Sequence, residues 1–310
     1  MKHKTVMVLC WSIKTCITSC SAAALAPSKG ISMFIEKLWK AARPFFPIQL
    51  YPVLAPIYWL RRRNQLNMLQ EDDRRYLAAH PDLLVPSAQL RYNVFGPCTI
   101  PQFLDSGAQV VDDIESALQS VNMSLSRIQE FLDFGCGCGR LILALRNRGH
   151  NLGITASDVD ARAIRWCQSN LEYSKCLIID GLPPSPFKDG VFDLIWCGSV
   201  FTHLDKNRQD RWLVELRRIL KPDGILIASV HGPHCWEPRL PKWTITKLRR
   251  DGIVFARTGA DLGIHPGWYQ VTWHTEKYIR EHWGAILAVR NYIPRGLNNY
   301  QDVVVMQKES

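Results

Sequence analysis

Between residues 128 and 230 the chain alternates short apolar runs with segments whose apolar residues recur at helical spacing. The apolar runs cover residues 131–134, 152–156, 176–179, 192–197 and 225–230. Helical patterns fill 140–148, 161–171 and 209–220 between them. Repeated strand, helix, strand order specifies an α/β fold, a doubly wound parallel sheet with right-handed crossovers. The turn Pro222-Asp223-Gly224 stops the last of these helices and starts the fifth strand. Upstream, 67–79 and 110–121 read as helices around a loop through Pro81 and Pro86, which predicts a helical cap ahead of the sheet. Downstream, the pattern fails between His231 and Thr272, in a stretch rich in Trp, Pro and His. A helix near 276–283 follows, and then two strand-like runs, 286–293 and 302–307, suit an antiparallel hairpin at the sheet edge. The expected division is a leader over 1–32, a basic segment and helical cap over 33–127, and an α/β domain over 128–310 carrying an insert at 231–272.

Composition narrows the partners. A chain of 310 residues, 47% hydrophobic, buries one full α/β core and leaves about 100 residues for a cap. Of the net charge of +10, residues 1–75 supply +8, from twelve Lys/Arg against four Asp/Glu. A basic front end suits an anionic surface such as phospholipid, or is a solvated leader; both readings stay open. A nucleic-acid enzyme would spread positive charge around its cleft, so nucleic acid is disfavoured. The apolar, aromatic stretch 45–60 carries Pro47, Pro52 and Pro56, and it is shorter than the roughly 20 residues of a spanning helix. Because it runs into Arg61-Arg62-Arg63, residues 45–63 read as a peripheral membrane contact or as a segment packed on the α/β domain, with packing favoured. Among ten cysteines only Cys136 and Cys138 are close in sequence and no Cys-x-x-Cys occurs, which predicts small reduced core residues and no metal site.

The first strand ends in Asp133-Phe134-Gly135-Cys136-Gly137-Cys138-Gly139, directly before a helix. Glycines at such a turn let the backbone approach a nucleotide, and the helix start offers unpaired N–H groups. A dinucleotide fingerprint requires its third glycine at position 140, where this chain has Arg140, so NAD is disfavoured. Asp133 would repel a pyrophosphate but suits a ligand with an amino group and a sulfonium charge. Asp158 closes the second strand 23 residues after Gly135, where a carboxylate accepts from ribose hydroxyls. Asp160 competes for that role but more naturally caps the next helix. Asp180, ending the third strand, is a candidate acceptor for an adenine amino group, or a plain turn residue.

Residues from about 91 to 308 resemble the class I methyltransferases of the type-11/type-25 group, and within it bacterial members linked to glycan modification. The resemblance rests on 131–140, Ser157-Asp158, 192–195, 199–204, 212–224 and 301–305 in that order. It implies a Rossmann-like seven-stranded sheet with an antiparallel last strand and S-adenosyl-L-methionine as cofactor. The cofactor residues it implies are Asp133, Gly135, Gly137, Gly139 and Asp158. Cys136, inside the loop, and Ser199, just past the fourth strand, join them as candidates.

Methyl transfer to a hydroxyl needs a base near the carboxyl ends of strands four and five. His203 and His231 stand there, with His234 close behind, though a histidine in a Phe-Thr-His-Leu turn is as well explained by packing. Where an exocyclic-amine methyltransferase carries Asn/Asp-Pro-Pro-Tyr, this chain reads Cys197-Gly198-Ser199-Val200, which disfavours DNA and RNA again. The insert's Trp236, Trp243, Trp268, Tyr269 and Trp273 lie among His231, His234 and Arg239. They suit a saccharide or other hydroxylated small molecule, or simply pack the insert. Another small metabolite methylated on N or O, and a catalytically silent nucleotide-binding module, are the alternatives. The start, Met1 to Ala26, imitates a secretory signal, but Lys14 interrupts it and export would separate the enzyme from its cofactor. The expectation is a cytoplasmic protein with an untranslated or disordered leader and a start at Met33.

Overall fold

A computed structural model describes residues 51–256 and 266–309. The leader, Met33, the first residues of the 45–60 stretch and part of the insert (257–265) lie outside them. Three helices come first: α1 (Tyr51–Ala79), α2 (Ala88–Phe95) and α3 (Ile100–Gln119). The expected helix at 67–79 is therefore only the end of α1. Pro52 falls in the first turn of the described helix and Pro56 removes one backbone bond, so neither breaks it. Trp59 and Leu60 stand 42% and 55% exposed, whereas Arg62 beside them is buried. Among the described residues no helix is long and apolar enough to cross a membrane.

What fixes α2 against α1 is polar. Buried Arg91 grips Asp73 with bonds of 2.7 and 2.9 Å, and Arg62 donates to Asn93 at 2.5 Å. Removing one partner of such a buried pair costs about 3–5 kcal/mol. Helix α3 begins with a capping box between Thr99 and Gln102, with Pro101 inside its first turn.

The α/β domain then runs β1 (Glu130–Phe134), α4 (Arg140–Asn147), β2 (Gly153–Asp158), α5 (Ala161–Asn170), β3 (Ser174–Ile178), β4 (Phe192–Cys197), α6 (Lys206–Ile219) and β5 (Leu220–Val230). The insert contributes α7 (Pro233–Trp236), α8 (Lys242–Asp251), β6 (Ile253–Ala256) and β7 (Val271–His274). A helical turn α9 (Glu276–Tyr278), continued as a π-turn over Ile279–Trp283, leads to β8 (Ala288–Leu297) and β9 (Gln301–Gln307). Sheet order is β3-β2-β1-β4-β5-β9-β8, with β9 antiparallel to both neighbours. The terminal hairpin thus lies at the edge as expected, but its last strand is enclosed between β5 and β8.

Strand residues alternate between two cores. Phe131, Leu194, Ile227 and Val305 face α3, α4 and α5, while Leu132, Ile195, Leu226 and Val304 face α6 and the π-turn. Where the pattern failed, the insert builds its own antiparallel ribbon, β6 with β7, and a small core of Trp236, Leu248 and Val254. All seven described cysteines are free and buried.

Candidate functional site

The carboxyl ends of β1, β2 and β4 open onto one cavity of about 670 Å³. Its floor is the turn from β1 to α4. Gly135 and Gly137 have φ of 82° and 55°, in the left-handed region. A Cβ on Gly135 would collide with Val200, and one on Gly137 would sit 2.5 Å from Val94. The loop therefore accepts only glycine, for conformation and for space at once. Gly139, at φ 78°, opens α4.

Two carboxylates flank the loop. Asp158 accepts from the Gly137 amide at 2.8 Å and from the Asp160 amide at 2.8 Å. Burial raises its pKa, with those two amides opposing the rise. Asp133 is buried and one of its oxygens, Oδ2, has no partner. Loss of hydration pushes its carboxyl up to about 8, with Arg140 opposing and Asp158 adding to the shift. A buried carboxyl oxygen left unpaired on a cavity wall is what a cationic ligand group would satisfy. Asp160 caps α5, accepting from the Arg162 amide at 2.9 Å, as its position suggested. Asp180 is exposed at the rim of the same cavity.

Ser199 lines the cavity with φ 58°. Its amide donates to Ser229 Oγ at 2.7 Å, and both hydroxyls converge on Gln301 Oε1, at 3.1 and 2.7 Å. Cys136 also lines it. Although its bond with Cys167 pulls the other way, burial and the carboxylates push its thiol up to about 12, so it stays protonated.

The two histidines do not line the cavity. His203 donates through Nδ1 to the Gln270 carbonyl at 2.6 Å and stacks on Tyr269 with ring centroids 4.0 Å apart. His231 donates through Nδ1 to the Thr272 carbonyl at 3.0 Å, and burial holds its pKa down to about 4. Both rings bind the strand segment that carries the insert back to the domain, and His234 is exposed. Of the insert aromatics, Trp268 and Tyr269 face the cavity, whereas Trp236 is buried in the insert core and Trp243 is exposed.

Several lining residues were not candidates for the site from sequence: Asn93, Val94 and Phe95 of α2, then Arg140, Tyr300 and Gln301. Arg140 alone carried a local signal, as a basic residue at the first position after the glycine loop.

Residues 132–228 match the family described as Methyltransferase domain. The match lies within the α/β domain, whose seven-stranded sheet with antiparallel β9 has the Rossmann-like fold of class I methyltransferases. The chain is 32% identical over 126 residues to malonyl-[acyl-carrier protein] O-methyltransferase of Geobacter sulfurreducens, covering 40% of this chain and 45% of that protein. It is 28% identical over 149 residues to the chloroplastic tocopherol O-methyltransferase of Arabidopsis thaliana, covering 44% and 42%. The chain spans less than half the length of these curated relatives. Among solved structures it is similar to a Burkholderia thailandensis 1,6-didemethyltoxoflavin-N1-methyltransferase with bound S-adenosylhomocysteine. That similarity has 15% identity and a TM-score of 0.46, over 74% of this chain and 93% of that one.

Proposed function

We propose that the protein transfers a methyl group from S-adenosylmethionine to a hydroxyl of a saccharide or another small hydroxylated acceptor. The observation that carries the cofactor half is the pair of buried carboxylates around a glycine-only loop: Asp158 fastened to Gly137, and Asp133 with an oxygen left unpaired. When bound, the cofactor supplies an electrophilic methyl on a sulfonium for in-line displacement, so the protein's work is largely positioning. In this reading Asp158 accepts from the ribose hydroxyls with its remaining lone pairs. Asp133 faces the ammonium group, Asp180 takes the adenine amine at the rim, and the turns at Gly135, Cys136, Gly137, Gly139 and Ser199 give the backbone its close approach.

The acceptor half is supported by the far wall, where Trp268, Tyr269 and Tyr300 present aromatic faces beside Asn298 and Gln301. His203 and His231 serve it by holding Gln270 and Thr272 in place, which presents Tyr269. The same wall suits a planar metabolite methylated on N or O, the second reading. Peripheral membrane contact through the basic helix is supported by exposed Trp59, Leu60 and Arg63.

Calorimetric titration of the full chain with S-adenosylmethionine, S-adenosylhomocysteine and NAD tests the cofactor half. Micromolar binding of the first two and none of NAD is expected. Folded protein that binds neither sulfur nucleotide is a silent module. A tritium-transfer screen with sugars ahead of aromatic metabolites then tests the acceptor.

A further inference from the structure

The cavity is charged unevenly. Its carboxylates, Asp133, Asp158, Asp160 and Asp180, all stand at or just past the ends of β1, β2 and β3. The opposite wall, the turn from β8 to β9 with Asn298, Tyr300 and Gln301, gives the cavity no acid among the described residues. Three basic side chains surround that turn instead. Arg239 lies 5.0 Å from the centre of the Tyr300 ring and donates through Nη1 to the Cys235 carbonyl at 2.8 Å. His234 meets the same ring edge-on, with centroids 6.1 Å apart. Arg295 donates through Nε to the Asn299 carbonyl at 3.2 Å. All three are exposed, and among the described residues none of them is in an ion pair. The acids close by in the fold are engaged elsewhere. Glu237 pairs with Arg249 at 3.1 Å, buried Asp302 accepts from the Tyr292 hydroxyl at 2.7 Å and the Arg295 amide at 2.8 Å, and Asp113 accepts from the Asn298 amide at 2.8 Å. Each guanidinium thus spends a donor on a backbone carbonyl and keeps others for a ligand. The turn also holds Arg295, Asn298 and Asn299 at φ of 56°, 51° and 52°, keeping side chains where glycine would fit more easily.

We infer that His234, Arg239 and Arg295 form a phosphate-binding rim, and that the methyl acceptor is a phosphorylated molecule. The inference rests on the acceptor half of the proposed function and narrows it, from a hydroxylated molecule to one that also carries a phosphoryl group. A guanidinium fork engages two phosphate oxygens at once, which suits paired arginines to this group. Tyr300 belongs both to the rim and to the cavity wall, so a phosphate held there leaves the rest of the acceptor along Tyr300 and Gln301, facing the carboxylate end that receives the cationic cofactor. Opposite charges at the two ends then fix which way round each ligand enters.

The test titrates the full chain with inorganic phosphate and with glucose 1-phosphate, following each by calorimetry. At least one of them is expected to bind the wild type, and Arg239→Gln/Arg295→Gln should weaken that binding about tenfold or more. Arg239→Lys/Arg295→Lys, which keeps the charge but not the fork, should recover part of the loss. Arg165→Gln/Arg217→Gln removes the same charge from exposed positions on α5 and α6 and should change binding by less than about twofold. The inference is overturned if neither phosphate compound binds, if the rim variant binds as the wild type does, or if the distant pair loses as much as the rim pair, which would make the effect one of net charge. Titration of the same samples with S-adenosylhomocysteine reads the cofactor half by itself. Equal affinity in wild type and rim variant shows that the cavity is intact. A joint loss of both ligands in the rim variant overturns the rim as a phosphate site and makes it structural, whereas a folded wild type that binds phosphate but not S-adenosylhomocysteine overturns the cofactor reading.

Discussion

The Gly137 amide donates to Asp158 Oδ2 at 2.8 Å, tying the loop after β1 to the end of β2 across 21 residues of sequence. One carboxylate therefore shapes the loop and, in the proposed function, receives the ribose. Asp158→Ala removes both roles. It should weaken S-adenosylhomocysteine binding by about 1–3 kcal/mol, measured by calorimetry, with a lower melting temperature because the Gly137 and Asp160 amides both lose their acceptor. Unchanged affinity would remove Asp158 from the site.

The contact between Val94 and Gly137 makes a second expectation. Gly137→Ala adds a methyl 2.5 Å from Val94 at a φ of 55°, and should destabilise the protein by about 1–3 kcal/mol. Trimming the neighbour in Gly137→Ala/Val94→Ala should return the steric part and leave the conformational part. Chemical denaturation of both single variants and the double variant reads the coupling; strictly additive losses would show that the helix does not press on the loop.

Cofactor affinity should depend on pH through Asp133. Its carboxyl, held up at about 8 by burial, is protonated at pH 6 and must ionise to face an ammonium group. Binding at pH 7 should therefore release part of a proton, and affinity should rise between pH 6 and 8.5. Titrations in buffers of different ionisation enthalpy measure that release, and Asp133→Asn should abolish it. An equal release in the variant points to another group.

His231 titrates in the opposite sense. Its folded pKa of about 4 lies below the ordinary histidine value of 6.5, chiefly through burial. The unfolded chain therefore binds its proton first, and stability present above pH 6.5 is lost as pH falls toward 4. The contribution reaches about 3 kcal/mol at the acid end. Because Asp133 titrates across the same range with opposite sign, the readout is a difference. The gap in melting temperature between wild type and His231→Gln should narrow from pH 7 to pH 4. A constant gap would mean that His231 contributes packing alone.

The central sheet was legible because its signal is local: buried parallel strands read as apolar runs, and turn residues punctuate them. Asp133, the glycines and Asp158 were legible for the same reason, each standing at a fixed offset from a strand end. What escaped the sequence depends on distant partners. Helix α2 is eight residues long with little amphipathic pattern, and its value lies in placing Val94 and Phe95 over a loop some forty residues away. Gln301 reaches Ser199 across 102 residues. Sequence put His203 and His231 past the right strands, but their Nδ1 atoms are engaged by Gln270 and Thr272 because the insert folds back, which no local pattern reports. Arg140 was visible as a residue, but its place beside Phe95 and Ser106 was not, since those neighbours come from α2 and α3.

The enclosed position of β9 also sets an order of assembly. Until residues 301–307 have left the ribosome, β5 presents an open strand edge, β8 has no neighbour to join, and Ser199 and Ser229 lack the Gln301 side chain they share. The growing chain can form the glycine loop long before it can finish the cavity wall opposite. An apolar edge is thus exposed throughout synthesis of the insert, and seven residues at the end of the described fold convert it into sheet interior.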